Sequence, residues 1–138
     1  FTGVLTVVLK LLNLVQADKA FFGEKDFQQL TLVQGMVNAF FVDTQIIGCP
    51  IVREEDGLAM SSRNHNLSAA DRARSPRFAS ILRDAIGDDE AIALLQKAGF
   101  AVDYVTSLGG RRFGAVKMGD ATKPVRLIDN VVVNESVR

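Results

Sequence analysis

The 138 residues balance 16 Lys and Arg against 16 Asp and Glu, so the chain has no overall field of either sign to hold a nucleic acid or a membrane surface. A composition of 48% hydrophobic and 23% charged residues belongs to a soluble globular chain and excludes a disordered one. The single cysteine, Cys49, excludes an internal disulfide framework and a cysteine-based zinc site, which suits a reducing, cytoplasmic setting.

The chain opens on Phe1-Thr2-Gly3 without a Met and runs at once into an apolar stretch, the pattern expected of part of a longer protein. Val4, Val7, Val8, Leu11, Leu12 and Val15 recur at helical spacing and predict an amphipathic helix with a wide core face. Lys10 and Asn13 interrupt this run, which is too short for a membrane span and lacks the flanks of a signal peptide. Lys19-Ala20-Phe21-Phe22, bounded by Gly23, reads as a short buried parallel strand. From Asp26 to about residue 41, Phe27, Leu30, Val33, Val37 and Phe40 form one helical stripe. Residues 43–49 then read as the next strand, ended by Pro50, and strand, helix, strand at this length implies a parallel crossover.

The junction Gly23-Glu24-Lys25-Asp26-Phe27-Gln28-Gln29-Leu30 is a candidate ligand site. Gly23 allows close approach of the backbone, the following helix offers N–H groups and the positive end of its dipole to an anion, and Lys25 adds a full charge. Gln29 stands three residues after Asp26 and four after Lys25, so helical spacing lets all three face one pocket. The same residues also suit a capped turn with Lys25 and Glu24 in water.

Asp56-Gly57 gives a hairpin-type turn, and Met60-Ser61-Ser62-Arg63 follows as a tight loop whose two hydroxyls and guanidinium can donate to a phosphate. Ordinary capping by Ser61 or Ser62 fits the same residues. His65, the only histidine, reads as a surface loop residue, and Cys49 as a small buried one. Ser68-Ala69-Ala70-Asp71 starts a helix expected to reach about Ala85, with Arg72, Arg74, Arg77 and Arg83 spread around it as a solvated face. A shorter helix over residues 90–97 ends at Gly99. Residues 101–106, 113–117 and 125–133 read as three antiparallel strands, with Gly109-Gly110-Arg111-Arg112 as a hairpin turn carrying two exposed arginines.

Taken in order and at this separation, Gly-Glu-Lys-Asp-Phe-Gln-Gln-Leu at 23–30 and Asp-Gly-Leu-Ala-Met-Ser-Ser-Arg-Asn at 56–64 resemble the pantoate–beta-alanine ligase (pantothenate synthetase) family. Gly3 to Val8, Leu12 to Gln16 and Arg126-Leu127-Ile128-Asp129-Asn130 also fit, so the resemblance covers nearly the whole chain. It implies an α/β fold: the C-terminal part of a Rossmann-like nucleotidyltransferase domain (residues 1–50), then a small α+β lid domain (51–138) with helices and a three-stranded antiparallel sheet. The implied reaction joins pantoate to beta-alanine through a pantoyl adenylate, with ATP accompanied by Mg2+, in a cytoplasmic homodimer without nucleic-acid or membrane partners. By the same resemblance Gly23 and Asp26 hold the ribose, with Glu24 beside them in the ATP site. Lys25, Ser61, Ser62 and Arg63 hold the phosphates and carry catalysis. Met60 begins the loop, Val52 meets the adenine through its backbone, and Gln29 meets pantoate, with no metal ligand of the protein's own.

The chain departs from the family pattern in several places. A His-Ile-Gly-His-like histidine pair is absent, Gly35 and Asn66 replace larger side chains, and the stretch between Arg83 and Gly110 is short. A non-catalytic adenine-nucleotide-binding or assembly fragment is therefore the alternative function.

Overall fold

The computed structural model describes residues 1–134, and the chain divides into two compact units, Phe1–Ile51 and Val52–Arg138. In the first unit, helix α1 (Thr2–Val15) is followed by strand β1 (Lys19–Gly23), a 3-10 turn (Glu24–Asp26), helix α2 (Phe27–Ala39) and strand β2 (Gln45–Cys49). Strands β1 and β2 pair in parallel from Lys19 opposite Gln45 to Gly23 opposite Cys49. A parallel pair needs a long connection, and α2 supplies it. The core is small: Leu12 of α1 meets Val33, Met36 and Val37 of α2, with Leu5, Val8, Leu9, Ala20, Phe22 and Ile46 packed around them.

Three expectations for this unit are corrected. Strand β1 alternates, with Phe21 66% exposed, because only one face of the two-stranded sheet is covered within the unit. The apolar face of α1 is wider than its partner, so Val4, Val7, Leu11 and Val15 stay exposed. Phe40 is exposed as well, because α2 ends at Ala39 and Met36 takes the inward position one turn earlier. Cys49 is half-buried.

The second unit begins with a short hairpin in which Arg53 bridges Ala59 antiparallel across a turn at Gly57, whose φ of 93° only glycine adopts readily. A 3-10 turn (Ser62–Asn66) leads to helices α3 (Ala69–Arg74), α4 (Arg77–Asp84) and α5 (Asp88–Lys97), then strands β3 (Ala101–Leu108), β4 (Arg111–Met118) and β5 (Val125–Val132). The strands form an antiparallel meander in the order β3-β4-β5. Phe78 and Leu82 of α4, Leu95 of α5, Phe100, Val116 and Leu127 build its core, with the rings of Phe78 and Phe100 6.1 Å apart. Gly114 lets α4 lie close on β4: a Cβ there would stand 2.9 Å from a Leu82 methyl and 3.0 Å from the Phe78 ring.

The single helix expected from Ser68 to about Ala85 is two helices, α3 and α4. Pro76 breaks it, since proline has no N–H to give to the Arg72 carbonyl and its ring crowds that position. The buried Ser75 hydroxyl donates to the Arg72 carbonyl instead, at 2.8 Å. At the start of α3, Ser68 Oγ accepts from the Asp71 N–H at 3.1 Å and donates to its carboxylate at 3.0 Å, as the capping signal predicts. Gly109 and Gly110 both have positive φ, 58° and 73°, as a two-residue hairpin turn requires.

The exposed pair of arginines after that turn is a further correction. Arg112 is only 4% exposed. Its Nη1 donates to the Leu82 and Ala85 carbonyls, both at 2.8 Å, and its Nε to Asp88 Oδ1 at 2.9 Å and Ser107 Oγ at 3.2 Å. The guanidinium thereby satisfies carbonyls at the C-terminal end of α4, where a helix has unpaired acceptors and negative dipole charge. Arg111 is half-buried and donates to Asn130 Oδ1 at 2.6 Å.

Candidate functional site

In the first unit, Gly23 closes β1 with extended backbone (φ −70°, ψ 136°), so its conformation does not demand glycine. Packing does not demand it either: no atom outside its own chain neighbourhood lies within 4 Å of where a Cβ would be, so the backbone there faces open space. Glu24, Lys25 and Asp26 form the 3-10 turn that follows. Asp26 is the N-cap of α2, its Oδ1 accepting from the Gln29 N–H at 3.4 Å. One of the helix-mouth donors expected to face an anion is therefore taken by the protein's own carboxylate. Lys25 and Gln29 are half-buried on adjoining turns of the same segment, so Gly23, Glu24, Lys25, Asp26 and Gln29 share one strand-to-helix junction.

In the second unit, Val52 is exposed and its carbonyl accepts from the Met60 N–H at 3.0 Å, closing the hairpin from which the loop emerges. The backbone carbonyl of Val52 is therefore already engaged. Leu58 and Ala59 are buried, which roots the hairpin in the core. Ser61 accepts from the Arg63 N–H at 3.3 Å and so caps the 3-10 turn, while Ser62 and Arg63 are exposed. The capping reading of Ser61 is what the structure shows, and it leaves the Ser62 and Arg63 side chains facing solvent.

Arg63 lines an open cleft of about 490 Å³ with Asn66, Lys123, Pro124, Val125 and Arg126. Arg126 also pairs with Asp103 at 2.9 Å, and Lys117 with the same carboxylate at 3.2 Å. These bonds, that from Arg126 first, hold the Asp103 carboxyl below its ordinary pKa. Asp56, at the hairpin tip, accepts from Arg72 at 2.6 Å and from the Leu58 N–H at 3.2 Å, and the Arg72 bond above all lowers its pKa. Sequence alone assigns no role to Lys123, Arg126 or Arg53, although Arg126 and Asp129 lie in a segment that resembles the family. Their relevance comes from neighbours that are distant in sequence.

Among the described residues no group of three or more His, Cys, Asp or Glu side chains could hold a metal ion, and no helix is long and apolar enough to cross a membrane. His65 is exposed.

A sequence model described as pantoate–beta-alanine ligase matches residues 1–132. A pantothenate synthetase of Bdellovibrio bacteriovorus is 54% identical over 133 residues, which are 96% of this chain and 51% of that protein. One from Coxiella burnetii is 50% identical over 95% of this chain and 49% of its own length. The chain thus spans about half the length of the curated relatives it matches. Among solved structures, pantothenate synthetase from Thermus thermophilus superposes with a TM-score of 0.83 at 35% identity, covering 96% of this chain and 55% of that one. Pantoate–beta-alanine ligase from Francisella tularensis, complexed with beta-gamma ATP and beta-alanine, gives 0.83 at 39% identity, covering 94% and 49%. The α/β first unit and the helical, antiparallel second unit are those of the C-terminal part of this fold, and the chain belongs to the pantoate–beta-alanine ligase family.

Proposed function

We propose that this chain supplies the ATP-handling part of an enzyme that ligates pantoate to beta-alanine. A pantoate carboxylate oxygen attacks the α-phosphorus of ATP, the bond to the β-phosphate oxygen breaks, and pyrophosphate leaves. The amine of beta-alanine then attacks the acyl carbon, AMP leaves, and the nitrogen loses a proton as the amide forms. An anion attacking a polyanion needs neutralisation and fixed geometry more than a protein nucleophile, so the tools are donors and charges. The observation that carries this reading is that both donor sets, Lys25 at the mouth of α2 and Ser62 with Arg63 on an exposed capped turn, occur in a chain matched to the ligase family over residues 1–132.

In this reading residues 1–50 are the partial nucleotide-binding domain and 51–138 the lid. Lys25, Ser61, Ser62 and Arg63 meet the phosphates, Gly23, Glu24 and Asp26 the ribose side of ATP, and Gln29 pantoate. Val52 and Met60 flank the adenine and the loop, and the whole enzyme is a cytoplasmic homodimer. The donor set fits a magnesium ion carried by the phosphate oxygens, since the cationic and hydroxyl side chains favour the phosphates themselves. When bound, that ion would neutralise phosphate charge, and the chain's residues would orient the phosphates around it.

The coverage of only half of each relative favours a second reading, a nucleotide-binding or assembly fragment without turnover. Both are tested by assaying the 138-residue chain and a full-length form of the protein for pantothenate, AMP and pyrophosphate, and titrating each with ATP. Pantoate-dependent exchange of pyrophosphate into ATP supports the ligase. ADP as product, or no such exchange in the full-length form, overturns it, and ATP binding without turnover in both forms supports the fragment reading. A Lys25→Ala change in the active form should slow adenylate formation a hundredfold or more, about 3 kcal/mol, with little effect on pantoate binding.

A further inference from the structure

The hairpin that leads into Ser61-Ser62-Arg63 is fastened to β5 by one side chain. Arg53 Nη1 donates to Asp129 Oδ2 at 2.7 Å and Nη2 to Asp129 Oδ1 at 2.9 Å, a fork on a carboxylate only 2% exposed. The same guanidinium donates to the Gly57 carbonyl at 3.0 Å and the Asn130 carbonyl at 3.3 Å, so it ties the hairpin tip and the strand together. Asp129 is itself oriented by the Asn130 N–H, 2.8 Å from Oδ1. Beyond the loop, Asn64 Nδ2 donates back to the Ala59 carbonyl at 3.0 Å, and the 3-10 turn packs on β5. The loop therefore leaves from, and returns to, a frame that the Arg53–Asp129 fork helps to orient, together with buried Leu58 and Ala59 and the Asp56–Arg72 pair.

Burial of such a pair adds little net stability compared with apolar residues of the same size. What a bidentate fork adds is direction, because two parallel bonds fix both the distance and the plane of the guanidinium. We infer that Arg53 is a positioning residue: its fork on Asp129 sets where the Ser62 and Arg63 donors stand, and it acts on the phosphates through Arg63. The second half of this inference rests on the proposed function; the first does not.

Hydrogen exchange of the 138-residue chain separates the two. Arg53→Lys keeps the charge and loses the fork, and residues 60–66 should then exchange about tenfold faster or more while amides of β4 stay within about twofold of wild type. Unchanged exchange at 60–66 overturns the inference, and so does a rise shared equally by β4, which marks general support of the fold. Asp129→Asn should reproduce the Arg53→Lys pattern, and if it does not fold, Arg53→Lys alone decides.

In the full-length form, Arg53→Lys should lower kcat for adenylate formation about tenfold, leave KM for pantoate unchanged, and cost nothing further in an Arg63→Ala background. Additive losses in that cycle overturn action through Arg63. Absence of adenylate formation in the wild type overturns the proposed function and leaves the exchange result standing.

Discussion

On α4 of the second unit, Phe78, Ile81 and Leu82 all enter a core shared with α5 and the three-stranded sheet. On α1 of the first, Leu5, Val8, Leu9 and Leu12 turn inward while Val7, Leu11, Leu14 and Val15 face outward. Both helices carry large apolar side chains, yet only α4 has every one of them covered within its own unit. Hydrophobic periodicity tells that a face is apolar; whether anything covers it is decided by how many layers the unit contains. The first unit has two helices and two strands, so a second apolar face on α1, and Phe21 on β1, have nothing within it to meet.

The largest expected effect sets the two cores against each other. Leu82→Ala, in the fully enclosed core, should cost about 4 kcal/mol, and Leu12→Ala, where neighbours can collapse into the gap, about 2 kcal/mol. Urea unfolding gives both values, and a reversed order would break the comparison. The second unit contains the only tyrosine, Tyr104, and the chain has no tryptophan, so tyrosine fluorescence reports that unit by itself.

Arg112→Met comes next. It keeps most of the apolar stem but leaves the Leu82 and Ala85 carbonyls without this donor and Asp88 with only its bonds from Ser107, and should lower the stability of the second unit by about 3 kcal/mol. A loss below about 0.5 kcal/mol would return Arg112 to the exposed hairpin role that the sequence suggests.

Acid should then weaken the second unit progressively. Burial pushes the Asp88 carboxyl up, but bonds from the Ser107 hydroxyl and N–H and from Arg112 outweigh it, and the net pKa is lowered. Those of Asp56 and Asp103 are lowered too, by Arg72 and by Arg126 with Lys117. A carboxyl depressed in the folded state leaves the unfolded chain binding more protons. Its contribution is complete above the unfolded pKa of about 3.9 and disappears as pH falls through the lower folded value. Tyr104-detected urea midpoints compared at about pH 6, 4 and 2 should fall most below about pH 4, and Asp88→Asn should flatten that fall. A midpoint independent of pH would sink the assignment.

The smallest expected effect belongs to the uncovered face. Leu14→Lys on α1 should change stability by less than about 0.5 kcal/mol, because the side chain is already in water. A loss above about 2 kcal/mol in circular dichroism melts of the chain would show that this face is covered after all.

Local chemistry was legible in the sequence. Ser68 with Asp71 announces α3, Gly109-Gly110 the hairpin, and the change of period after Gly99 the meander. Pro76 was equally visible, but the helix read from the Ser68 cap was carried through it to about Ala85. Arg112 could not be read because its partners, Leu82, Ala85 and Asp88, lie 24 to 30 residues away, and its charge suggests exposure. For the site, the donors themselves were visible as residue types at a strand-to-helix junction and on a turn. That Asp26 occupies the helix mouth, and that Arg53 reaches Asp129 across 76 positions, needed coordinates.

The parallel pairing of β1 with β2 also has a consequence in time. Strands β3, β4 and β5 each meet a sequence neighbour across a short turn, so their contacts form at small cost in chain entropy, whereas β1 waits until residues 24–44 have come round before β2 can reach it. A chain refolding from the fully unfolded state should therefore complete its second unit first, with the strand that leads into Lys25 among the last to be secured. Pulse-labelled exchange that found β1 amides protected before those of β4 would contradict this order, and the order would leave the apolar residues of α1 and β1 in water for the longest part of folding.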